Sequence, residues 1–220
     1  MADIGMSQAV PGAAAPRKRY VSNSRESVRM FRLDWMEALS KVYWWVPPLV
    51  YAPLVVLILL HVALVERLPA MSIALWYVAG MFAWTPTEYV LHRWAFHYEP
   101  KAAWAQRFHF IIHGVHHDYP NDAHRLVMPP SASLPITLAF YGLFYLVVPA
   151  SGLNAFVAGF MSGYVAYDLM HYALHHASWR APWFAWLKRN HMQHHFVEPD
   201  RRYGVSSPLW DIVLGSRGRG

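Results

Sequence analysis

Residues 107–130 read RFHFIIHGVHHDYPNDAHRLVMPP. Within them His113, His116 and His117 are spaced i, i+3, i+4, so on a helix their imidazoles share one face. The same spacing returns at His191, His194 and His195. His171 and His175 lie four apart, and His92 and His97 five apart. These clusters hold ten of the 14 histidines. Imidazole is a ligand for zinc, copper, iron and nickel. A tetrahedral zinc takes four ligands, so ten imidazoles imply two ions with about five each.

The rest of the chain supplies a membrane setting. At 220 residues, 55% hydrophobic and only 15% charged, it has the composition of a small membrane bundle. With no cysteine, disulfides and thiolate ligation are excluded. The net charge of +6 does not indicate nucleic acid, because the basic residues are interleaved with long apolar runs. Residues 1–26 read as a disordered basic tail, Ala/Pro-rich up to Arg17-Lys18-Arg19 and without the apolar core of a signal peptide. Residues 217–220 form a short C-terminal tail.

Residues 27–41 (SVRMFRLDWMEALSK) alternate apolar and charged positions as an interfacial helix does. Val42 to Val65 and Leu68 to Thr87 contain no Asp, Glu, Lys or Arg, and only Glu66-Arg67 separates them. Leu126 to Tyr167 is also uncharged, with a break at Pro149-Ala-Ser-Gly-Leu-Asn154. Since ~20 apolar residues cross a bilayer, the expected spans are 44–65, 68–91, 134–148 and 153–176. Four crossings put both termini on one side. That side carries 18 of the 19 Lys and Arg residues, only Arg67 lying opposite, and is therefore cytoplasmic. The expected fold is an all-α integral membrane protein. Its four transmembrane helices form two hairpins, within a membrane domain over 27–216, and a cytoplasmic helical cap carries a histidine-rich dimetal site.

At 1.5 Å per residue, all four clusters emerge at the cytoplasmic edge of these spans. A transporter's ligands would lie nearer the midplane. The one awkward pair is His92 and His97, about 140° apart on an ideal helix, so the helix bends or ends between them or they serve different ions. Glu88 is four before His92 and Asp168 three before His171, placing each to accept its histidine's second N–H. His109, one turn before His113, has a supporting role. Tyr164, Asp168, His171 and His175 form a polar stripe on an apolar helix, with Tyr167 beside it. Tyr164, Tyr167 and Asp168 are candidates for substrate contact, and Arg125 for a head-group contact.

Zinc has no redox chemistry, and an all-imidazole pair beside lipid points to oxygen activation by two irons. A zinc found in purified protein would be a substitute. The runs HGVHHDYPNDAHRLVMPP (113–130), GYVAYDLMHYALHH (163–176), HMQHH (191–195) and YGVSSPLWD (203–211) resemble the fatty acid hydroxylase/sterol desaturase superfamily, and within it the fatty acid 2-hydroxylases. The resemblance begins near 39–48 and implies hydroxylation of the carbon alpha to an acyl carbonyl, in a free fatty acid or a sphingolipid, using O2 and external electrons. Related fungal and animal enzymes often carry a heme domain absent from these 220 residues. The resemblance therefore implies a separate reductase or small heme or iron–sulfur donor. The small, basic, Ala- and Arg-rich form suggests a bacterial inner membrane, or the ER membrane in a eukaryote. The competing readings are a sibling oxidase of sterols or carotenoids on the same metals, and a non-catalytic metal-binding or metal-transport membrane protein.

Overall fold

The computed structural model describes residues 21–218. Most of the 1–26 tail and the last two residues of the 217–220 tail lie outside that range. The described chain is helical: α1 (Asp34–Ser40), α2 (Val46–Leu64), α3 (Ala70–Val90), a π-helical turn (Leu91–Phe96), α4 (Ala103–His109), a second π turn (Phe110–Gly114), α5 (Val115–Asp118), α6 (Pro130–Val147), α7 (Ala150–His176), α8 (Pro182–Phe196) and α9 (Leu209–Val213). Prolines mark the starts. Pro47, Pro130 and Pro182 occupy the first helical turns, where a missing N–H costs nothing. Pro149 stands immediately before α7 and divides the long uncharged run.

Helix α7 is the axis of the molecule. Its 27 residues give it a length of ~40 Å, and most of its side chains are buried. Consecutive α2 and α3 pack chiefly on α7 rather than on each other, so the first expected hairpin is adjacent in sequence more than in contact. Glycines set the closest approach. A Cβ at Gly80 would fall inside the Phe156 carbonyl, and one at Gly159 inside the Tyr77 carbonyl. Small residues let α3 and α7 meet backbone to backbone, as at membrane helix interfaces. That contact holds the end of α3, and the π turn with His92 that continues it, against the α7 helix that bears His171 and His175.

Among the described residues, α2 and α6 are long and apolar enough to cross a membrane by length and composition. Their apolar side chains point outward: Leu57 is 62% exposed and Leu146 77%. A soluble core helix would bury such residues.

The segment expected as a helix over 27–41 is helical only from Asp34 to Ser40. The reason is Glu37, whose buried carboxylate accepts the Met30 and Phe31 amides at 2.9 and 3.0 Å and draws the preceding chain back as a strap. Arg125 pairs with Glu37 at 2.6 Å and also donates to the carbonyls of Ser40 (2.9 Å) and Val28 (2.8 Å). Burial alone would raise the Glu37 pKa. The Phe31 and Met30 amides, with Lys41 and Arg125, outweigh it and hold the carboxyl at about 2.

Candidate metal centre

All ten histidines of the four clusters converge at one end of the bundle and sort into two groups of five. One holds His92, His97, His113, His117 and His194; the other holds His116, His171, His175, His191 and His195. Within a group the potential ligand atoms lie within 4.8 Å of one another. Each H-x-x-H-H box is split between the groups. His113 and His117, at i and i+4, go to the first group while His116 goes to the second. In the later box His191 and His195 go to the second group and His194 to the first. On a helix i and i+4 lie about 40° apart, whereas i+3 and i+4 diverge by about 100°. One box therefore serves two sites. The rings of His117 and His195 stack across the divide with centroids 4.2 Å apart.

The awkward pair is resolved by the π turn. The His97 amide donates to the His92 carbonyl, an i→i+5 bond at 3.2 Å, which brings residues five apart onto adjoining positions. Their rings lie 5.0 Å apart and both belong to the first group. The second π turn, Phe110–Gly114, carries His113.

The nitrogen spacing fits metal ligation. Nε2 atoms face one another at 3.2 Å (His113–His97), 3.0 Å (His117–His113), 2.9 Å (His171–His116), 2.9 Å (His175–His191) and 3.1 Å (His195–His191). Imidazole lone pairs this close repel unless a proton or a cation lies between them. With metal–nitrogen bonds of ~2.0–2.1 Å, nitrogens 90° to 120° apart on one ion stand about 2.9 to 3.6 Å from each other. The observed edges fall in that range. Burial lowers the pKa of His113, His116, His191 and His195 well below the usual value and that of His92 to about 4. The imidazoles are thereby kept neutral, the form that ligates. The residues fit a pair of metal ions.

The supporting residues differ from the sequence expectation. His92 Nδ1 donates to the Tyr203 carbonyl at 2.5 Å, and His194 Nδ1 to the Arg201 carbonyl at 2.6 Å. Glu88 does not face His92; it accepts the amides of Val205 and Ser206 at 2.8 and 2.9 Å. Asp168 does not face His171; it accepts the Met128 amide at 3.2 Å. His109 binds the Phe96 carbonyl at 2.5 Å and ties the two π turns together. Backbone carbonyls at 201 and 203 left no trace in side-chain identity, so spacing could not find them. Asp211, which accepts the amides of residues 203 and 204, stands at no histidine-box offset, so spacing does not reveal it.

Beside the histidines lies an apolar cavity of about 370 Å³. The strap and α1 (Met30, Trp35, Leu39) line it, as do His113, His116 and His171. Tyr164, Tyr167, Asp168 and Arg125 all line it. The Tyr167 ring stands 5.8 Å from that of His171, while the Tyr164 hydroxyl points to the Met128 carbonyl at 3.5 Å. Arg125 has its guanidinium engaged by Glu37, Ser40 and Val28, with its side chain 1% exposed. It is therefore a clamp on the strap rather than a free head-group contact.

A helical bundle with two five-imidazole groups beside an apolar cavity has the arrangement of a histidine-box metal centre that works on an apolar substrate. The fatty acid hydroxylase family model matches residues 77–216. The chain is 38% identical to the dihydroceramide fatty acyl 2-hydroxylase FAH2 of Arabidopsis thaliana, over 87% of this chain and 80% of that protein. It is 32% identical to the fatty acid 2-hydroxylase of Homo sapiens, over 85% of this chain and 56% of that one. The solved structure of full-length scs7p, in which only the hydroxylase domain is visible, superposes with a TM-score of 0.79 at 35% identity, covering 84% of this chain and 70% of that one. The chain belongs to the fatty acid hydroxylase family and is an oxidoreductase.

Proposed function

We propose that this protein hydroxylates the alpha carbon of a fatty acyl chain, free or carried in a ceramide-type lipid, within a membrane. The observation that carries this reading is the apolar cavity, whose lining includes imidazoles of both histidine groups. The overall step is R–CH2–CO–X + O2 + 2 electrons + 2 protons giving R–CHOH–CO–X + H2O. Two bound ions, which we take to be iron, supply O2 activation and redox capacity, with zinc able to substitute in purified protein; the electrons come from a separate donor. The ten histidines hold the ions, five to each. The apolar walls formed by α1, the strap and the start of α6 hold the acyl chain and exclude water. Tyr167, beside His171, is placed to stop the acyl carbonyl. Tyr164 and Asp168 shape that stop by holding the Met128 backbone.

In the membrane, α2, α3, α6 and α7 are the four crossings. Outward apolar side chains such as Leu57, Leu75 and Leu138 support this. Helix α7, longer than the ~30 Å hydrocarbon core, carries His171 and His175 out to a cytoplasmic cap. The charge asymmetry supports that orientation, with both termini cytoplasmic, in a bacterial inner membrane or the ER membrane of a eukaryotic host.

Mass spectrometry of lipids from cells expressing the protein under labelled O2 tests the reading. The expected product is one labelled oxygen at carbon 2 of acyl chains, absent in cells expressing His116→Ala. Label in sterols or carotenoids only, or in no lipid, overturns it.

A further inference from the structure

The two histidine groups are fastened differently. The carbonyls of Arg201 and Tyr203, two residues apart on one loop, receive the Nδ1–H of His194 from α8 and of His92 from the first π turn. Both imidazoles belong to the same group of five. The loop is itself pinned by two buried carboxylates. Asp211 accepts the amides of Tyr203 (2.9 Å) and Gly204 (2.8 Å), and Glu88 those of Val205 (2.8 Å) and Ser206 (2.9 Å). The Ser206 hydroxyl also donates to Glu88. Four successive amides thus point at two carboxylates, which are 4% (Glu88) and 1% (Asp211) exposed. Position 204 admits no side chain, since a Cβ there would strike the Ser207 carbonyl. In the other group, His175 bonds the Pro120 carbonyl, but the Nδ1 atoms of His116, His191 and His195 are buried and have no hydrogen-bond partner among the described residues.

A carbonyl that takes one imidazole N–H fixes the tautomer and aims the other nitrogen's lone pair before any ion arrives. Such preorganisation lowers the ordering cost of binding. We propose that the 201–206 loop is a backbone clamp that makes the His92 group the tighter of the two ion sites, with Glu88 and Asp211 as positioning residues that hold the clamp. This rests on the two-ion reading above. The looser site is the one that brings His116 and His171 to the cavity wall.

The test is metal release from the full-length protein in detergent, loaded with two ions and titrated with a chelator while metal per chain is counted. Wild type is expected to release one ion early and one late. His195→Ala should retain only the late phase and His194→Ala only the early one. In Glu88→Ala the late phase should move to about 10- to 100-fold lower chelator, the scale of losing an outer-shell partner, with the early phase unmoved. Glu88→Gln keeps an acceptor oxygen for both amides and should restore the late phase. If Glu88→Ala does not fold, Asp211→Asn, which keeps one acceptor and loses the other, is read in the same way. A single-phase release from wild type, an unmoved late phase, or both phases moving together overturns the clamp. A wild type that holds fewer than two ions overturns the two-ion reading itself, and the clamp with it.

Discussion

Replacing Arg125 with alanine leaves the Glu37 carboxylate buried without its cation and strips hydrogen bonds from the carbonyls of Ser40 and Val28. The two side chains are 1% and 8% exposed, so water restores little. Breaking a buried pair from one side costs about 3–5 kcal/mol. At roughly 2–4 °C per kcal/mol for a chain of this size, melting should fall by roughly 6–20 °C. The retained Lys41 contact to Glu37, at 3.2 Å and partly exposed, favours the lower part of that range. Tryptophan fluorescence during heating in detergent would follow the melt, and brief trypsin treatment would report release of the strap at Arg25, Arg29 and Arg32. The double substitution Glu37→Leu/Arg125→Met should be less damaging than either single change, because it removes both charges together. Unchanged melting and a protected strap in Arg125→Ala, with only KM raised, would refute the clamp role and restore the head-group role.

Other outcomes follow from the same geometry. His116→Ala should abolish 2-hydroxylation while the protein still inserts into membranes at wild-type level, checked by lipid mass spectrometry and carbonate extraction. Gly159→Leu should force α3 from α7 and cost at least ~1–3 kcal/mol, whereas Gly142→Leu, with nothing within 4 Å of its Cβ, should melt as wild type. The Glu37 carboxyl has a folded pKa of about 2, below its unfolded value of about 4.3. Its stabilisation is therefore fully present above about pH 4.3 and is lost as pH falls through about 2. Trypsin-like cleavage is unusable there, but pepsin should cut residues 21–33 progressively faster from pH 4 to pH 2, and Glu37→Gln should flatten that step.

The sequence was most informative where chemistry and periodicity coincide. The ten histidines that the spacing singles out are the ten that the structure gathers into the two groups, because neighbouring helical turns impose fixed offsets. It misjudged geometry wherever the backbone departs from an ideal α-helix. The His92–His97 separation made sense only once the π turn was visible, and no residue type marks such a turn. The roles of Glu88 and Asp168 were misassigned for a related reason. Both carboxylates were expected to serve an imidazole on their own helix, yet both bind amides from segments distant in sequence. Helical offset says nothing about a loop more than 100 residues away. Met30 and Leu39 fit one amphipathic pattern on paper, but Glu37 turns the chain back and buries Met30 against the cavity. The apolar runs did locate α2 and α6, and the glycines of α3 and α7 explain why two less apolar helices pack so closely.

The most direct measurement is X-ray absorption, with metal counting, on protein purified without oxygen from iron-supplied cells. The account predicts two irons per chain, each surrounded by nitrogen at ~2.0–2.2 Å with the outer scattering of several imidazoles. One iron per chain, or a shell without imidazole scattering, would contradict it.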